Sequence, residues 1–101
     1  MSFAENIARD RRRAILEHLA VTEGLGLGAG VLTTLIAEGR HGIYRDVIEA
    51  DLAYLAQHNL LTVEELPSAL GPQKWATLTG LGLDVAGGRT HPHVAPKLPS
   101  Y

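Results

Sequence analysis

A chain of 101 residues holds one domain with one modest core, and 46% hydrophobic against 20% charged residues is the balance of a folded protein that faces water. A formal charge of −2 excludes an overall polyanion-binding surface, so a nucleic-acid role needs a local basic patch. The lack of cysteine excludes a disulfide framework, no apolar run approaches the roughly 18 residues a bilayer requires, and the polar N-terminus is not signal-like, so a cytoplasmic protein without membrane contact is expected.

In chain order, Ser2-Phe3-Ala4-Glu5 has the spacing of a capping box and predicts a first helix from Phe3 to about Val21. Ala8, Ile15, Leu16 and Leu19 form one apolar strip along it. Phe3, Ile7 and Ala14 form an adjacent strip, which suits a dimer contact, a seat for the C-terminal helix or simply a wide core face. The same helix carries the one dense basic cluster, Arg9, Arg11, Arg12 and Arg13. Arg9, Arg12 and Arg13 share a face at i, i+3 and i+4, a geometry that can meet phosphates or can lie in solvent balanced by Glu5, Asp10 and Glu17.

Glycine recurs at every second position from Gly24 to Gly30. A dinucleotide-binding loop needs a preceding strand and a different glycine spacing, so the segment reads as a connection in which Leu25–Leu27 supplies a short edge strand. Val31 to Glu38 predicts a second helix with Leu32, Leu35 and Ile36 turned inward, stopped by Gly39-Arg40-His41-Gly42. Ile43 then leads into a third helix running from Tyr44 to Gln57, whose Ile48, Leu52 and Leu55 recur at i, i+4 and i+7. After His58-Asn59 the period changes to two, with Leu61 and Val63 alternating against Thr62 and Glu64.

Leu60–Leu66 and Lys74–Leu78 are the strands of a hairpin whose tip, residues 67–73, is rich in turn formers and carries no charge. Trp75 on a strand face is a core or interface anchor rather than a base-stacking platform. Thr79 is placed to cap a short last helix, Gly80 to Ala86, with Leu83 and Ala86 inward. The predicted fold is therefore α+β, mainly α: a winged helix-turn-helix of three helices, a two- to three-stranded wing sheet and a short C-terminal helix, spanning residues 1–88.

Residues 89–101 change to a proline-rich composition and read as a disordered or extended tail. His91 and His93 are paired like metal ligands, but no further ligand completes a site, and His18, His41 and His58 are scattered. No nucleophile is paired with a base, so a non-enzymatic protein without a metal or cofactor is expected.

The run of motifs Arg45-Asp46, Asp51-Leu52-Ala53-Tyr54-Leu55, Leu60-Leu61-Thr62-Val63-Glu64, Ala76-Thr77-Leu78-Thr79 and Gly82-Leu83-Asp84-Val85-Ala86 sits in an element order that resembles winged-helix regulators of the ArsR-like and MarR-like type, over about residues 5–88. More narrowly it is similar to a small family found among the head and packaging genes of Mu-like phages and prophages. The resemblance implies a phage setting and a regulator or packaging accessory that binds double-stranded DNA, with self-association as a dimer or contact with another phage protein. On that reading Tyr44 and Arg45 meet DNA at the start of the reading helix, flanked by Arg40 and Lys74, with Arg9, Arg12 and Arg13 as further phosphate contacts and Phe3, Ile7 and Ala14 as the dimer interface. One departure stands out, because Glu49 occupies the reading helix where a basic residue is expected. The alternative reading is a protein-interaction or assembly module that keeps the same scaffold.

Overall fold

The Ser2 hydroxyl accepts a hydrogen bond from the Glu5 amide at 3.1 Å, the first half of a capping box, and opens helix α1 (Phe3–Ala20). The computed structural model describes residues 2–38 and 42–98, so Arg40 and His41 lie outside the described residues. After α1 come a 3-10 turn (Glu23–Leu25), strand β1 (Gly26–Gly28), α2 (Ala29–Ala37), α3 (Arg45–Gln57), β2 (Leu61–Leu66), β3 (Gln73–Leu78) and α4 (Gly80–Ala86). The described residues thus form an α+β chain, mainly helical, with one antiparallel sheet in the order β1-β3-β2. No helix among them is long and apolar enough to cross a membrane.

The register shows how the alternation in β2 and β3 is used. Leu61 faces Leu78 and Val63 faces Ala76, which places these apolar side chains on the inner face of the sheet. Leu27 joins them from β1 by pairing with Ala76, so the alternating glycines do supply a third, edge strand. Trp75 takes the outer face, and its indole lies over Gly26, where a Cβ would meet Nε1 at 2.7 Å.

The core is built from Ile15, Leu16 and Leu19 of α1, Leu32 and Ile36 of α2, Ile48, Leu52 and Leu55 of α3, and Leu60, Leu61, Ala76 and Leu78 around the sheet. The α3 stripe is the one its spacing predicts. Asn59 ends the helix in the left-handed conformation at φ 62°, with the Leu60 amide reaching back to the Leu55 carbonyl and the Asn59 amide to Ala56. That turn delivers the chain directly into β2.

Two inward assignments are corrected. Leu35 is 39% exposed, because α2 rests on a narrow stripe of Ala29, Leu32 and Ile36, and Leu35 falls on the solvent side of it. Leu83 is 42% exposed, because α4 lies on Gly82, Val85 and Ala86 instead. Gly82 sets that rotation. A Cβ there would stand 1.9 Å from the Leu60 carbonyl oxygen, so only glycine lets the helix approach this closely. Smaller boundary differences accompany these: β1 is Gly26–Gly28 rather than Leu25–Leu27, α2 begins at Ala29, and Tyr44 is the N-cap of α3 rather than its first residue.

Thr79 caps α4 as its position suggests. Its Oγ1 accepts from the Gly82 amide at 3.0 Å and donates to the Asn59 carbonyl at 2.7 Å, so one hydroxyl fixes both the helix start and the end of α3. Thr79→Ala is expected to lower stability by about 1 kcal/mol, read as a shifted denaturation midpoint with unchanged slope, whereas Thr79→Ser should retain most of it.

Past α4 the Arg89 amide bonds the Asp84 carbonyl and the Gly88 amide bonds that of Val85, with Gly88 at φ 127°. Residues 89–98 then run without helix or strand across α1. A tight turn joins His91 and Val94, with Pro92 at its second position, and seats Val94 and Ala95 as buried residues of the domain.

Candidate functional site

Arg9, Arg12 and Arg13 share one face of α1 as their spacing predicts, and all four arginines of the helix are engaged by the chain itself. Arg13 is only 6% exposed; its guanidinium donates to the carbonyls of Ala95, of Val85 at 2.9 Å and of Ala86 at 3.4 Å, and its Nη1 lies 3.7 Å from Glu17. Arg9 donates to the Val94 carbonyl at 3.2 Å, and its own carbonyl accepts from the Ala95 amide at the same distance. Arg12 donates to the His93 carbonyl at 3.1 Å, and its guanidinium carbon stands 4.0 Å from the centre of the Tyr54 ring. Thus the i, i+3, i+4 face of α1 grips the backbone of residues 93–95.

Arg11 points the other way, toward α3. It forks onto both carboxylate oxygens of buried Asp51, which binds α1 to α3 in the bidentate geometry that guanidinium favours. The Asp51 hydrogen bond outweighs the effect of burial and holds Arg11 above the ordinary guanidinium value. The partner that Asp51 takes is thus 40 residues away in the sequence, on another helix.

At the start of α3, Tyr44 stands two-thirds exposed, and its side chain makes no capping bond. Arg45 donates to Glu49 at 3.1 Å and to the Gln73 side chain at 2.6 Å, so the foot of the β2–β3 hairpin is tied to the helix start. Lys74 follows Gln73 on β3 and sits opposite Glu65 of β2. Tyr44, Arg45 and Lys74 therefore belong to one end of the molecule, whereas Arg9, Arg12 and Arg13 belong to the face of α1 covered by residues 89–98, the strap.

A second cluster was not legible in the sequence. His58, the C-cap of α3, packs against the strap histidines, with ring centres 4.1 Å from His93 and 6.0 Å from His91. The Tyr54 hydroxyl lies 2.6 Å from His93 Nδ1, and His91 Nδ1 accepts from the His93 amide at 3.2 Å. That last bond requires His91 Nδ1 to be unprotonated. Burial first, then the charges of His93, His58 and Arg89, hold His91 below the ordinary imidazole value. His93 is lowered by burial, then by His58, Arg12 and Arg9, with Glu5 acting against them. Among the described residues no group of three His, Cys, Asp or Glu side chains is arranged to hold a metal ion.

Beside α1 lies an open groove of about 1260 Å³. Ile7, Ala14 and Val21 of α1, Ile43 and Pro96–Leu98 supply its apolar lining, with Asp10, Arg11, Arg13, Glu17, His18 and Lys97 among its polar lining residues. Of the predicted dimer residues, Ile7 and Ala14 line the groove, and Phe3 stands 81% exposed toward the N-terminal end of the same helix. No protein-family model matches the chain, and a search of curated proteins finds no match either.

Proposed function

We propose that this chain is a non-enzymatic protein-interaction and assembly module on a winged-helix-like scaffold in a phage or prophage setting, associating with a second copy of itself through the α1 groove. The observation that carries the reading is the commitment of the α1 arginines: Arg9, Arg12 and Arg13 hold strap and α4 carbonyls and Arg11 holds Asp51, so the one dense basic cluster is turned into the fold. On the groove side the apolar side chains of Phe3, Ile7 and Val21 are exposed instead. A second copy fits because the projecting Phe3 and the groove lie on one helix. Two-fold pairing lets each copy's ridge enter the other's groove, as an isologous contact requires.

A second reading keeps double-stranded DNA as the partner. It is favoured by the tie from Arg45 to Gln73, which brings the start of α3, the hairpin foot and Lys74 into one surface with exposed Tyr44. One pair of measurements separates the two. Sedimentation at rising concentration should show a dimer that Ile7→Glu dissociates, and a titration with duplex DNA at low salt should show no binding. A native chain that stays monomeric sinks the first reading, while a duplex affinity that falls steeply with salt and is lost in Arg45→Glu establishes the second.

A further inference from the structure

The strap is held to α1 by arginine–carbonyl bonds, and the turn that presents those carbonyls contains a hydrogen bond that depends on neutral histidine. We propose that residues 89–98 are an acid-released strap: protonation of His91 breaks the turn that seats Val94 and Ala95 on α1, and the segment swings out beyond Gly87–Gly88.

Three observations converge on this reading. His91 Nδ1 accepts the His93 amide, so a proton placed there turns the acceptor into a second donor facing an N–H. That bond lies inside the turn whose closure, Val94 N–H to the His91 carbonyl, precedes the buried pair Val94 and Ala95. The groups around it are mostly cationic or titrate to cations. Around His91 these are His93 and Arg89 of the strap, the latter 3.8 Å from Asp84 of α4, and His58 at the end of α3; around its neighbour His93 they are His58, then Arg12 and Arg9 of α1 with Glu5 opposing them, and the Tyr54 hydroxyl at its Nδ1. A positive charge on His91 therefore enters a site that already holds Arg89 and two further histidines, where the neighbouring carboxylate, Asp84, is paired with Arg89.

The sign follows from the lowered values of His91 and His93. Docking favours their neutral forms, so the docked state loses ground as pH falls below the free-imidazole value of about 6.5 and continues to lose it down to the docked values. At pH 8 the histidines contribute no drive for release. What release uncovers is the face of α1 carrying Arg9, Arg12 and Arg13, together with the seat of Val94 and Ala95.

Amide hydrogen exchange on the full chain tests this, with rates divided by the intrinsic rate at each pH. The Ala95 amide, bonded to the Arg9 carbonyl, should lose protection on the order of tenfold between pH 7.5 and pH 5. The Leu52 amide in the core of α3 should hold its protection, which separates strap release from global unfolding. In His91→Asn the side-chain oxygen can still accept the amide two residues on but does not titrate, so Ala95 should lose much less protection than in the native chain, the remainder being the contribution of His93. Equal protection of Ala95 in the native chain at pH 7.5 and pH 5, an equal loss in His91→Asn, or a parallel loss at Leu52 would each overturn the proposal.

Discussion

Gly82→Ala is expected to destabilise the chain by about 3 kcal/mol, because overpacking against backbone cannot be relieved by rotating a side chain. The new Cβ would stand 1.9 Å from the Leu60 oxygen, 2.9 Å from its carbonyl carbon and 2.8 Å from Leu78 Cδ1. Relief requires α4 to lift from the sheet. That movement pulls on the Thr79 amide, which donates to the same Leu60 carbonyl at 3.2 Å, and on the Thr79 cap. Denaturant unfolding measures the loss as a lower midpoint at similar slope, and Leu83→Ala, one position on but exposed, is the control expected to change stability by less than about 1 kcal/mol. A midpoint for Gly82→Ala within error of the native chain would mean that α4 does not sit this closely on Leu60.

Arg13→Met should cost a similar amount, about 3 kcal/mol, for a different reason. Methionine fills much of the buried volume but leaves the Ala95 carbonyl without its guanidinium donor and removes the donors to Val85 and Ala86. Arg13→Lys sharpens the test. A lysine keeps the charge but lacks the planar fork that spans two elements, so it should recover only part of the loss. Thermal melts that rank native above lysine above methionine support the bridging role. If lysine equals the native chain, charge rather than fork geometry is what Arg13 supplies. The Ala95 amide should also exchange faster in both variants, because Arg13 holds the carbonyl of the same residue.

What the sequence disclosed was local. The Ser2 cap, the Ile48, Leu52 and Leu55 stripe, the Asn59 helix end and the Thr79 cap are each specified by residues within one or two turns, where residue type and spacing carry the physics. Rotation of the short helices was not legible. Whether α4 buries Leu83 or Val85 is decided by the Leu60 carbonyl, a backbone group from another element. The site was hidden for a related reason. Arg9, Arg12 and Arg13 bind carbonyl oxygens, which every residue possesses, so nothing in the composition of residues 93–95 marks them as partners. The cluster of His58 with His91 and His93 and the pair of Arg11 with Asp51 close distances of 30 to 40 residues along the chain that only the tertiary fold reveals. The same arginines that make the strongest case for nucleic acid in one dimension are in three dimensions the brackets that hold the strap.

The contact from Arg9 to Val94 joins residues 85 positions apart, and this orders events during biosynthesis. Chains leave the ribosome N-terminus first at about 5–20 residues per second, so α1 is made long before the segment that covers it. Until Val94 has emerged, the guanidiniums of Arg9, Arg12 and Arg13 lack these carbonyl partners, and the nascent protein presents a cationic helix that the finished one does not. Closing this loop waits until Val94 has been made, and a message truncated between α1 and that residue yields a product in the open form.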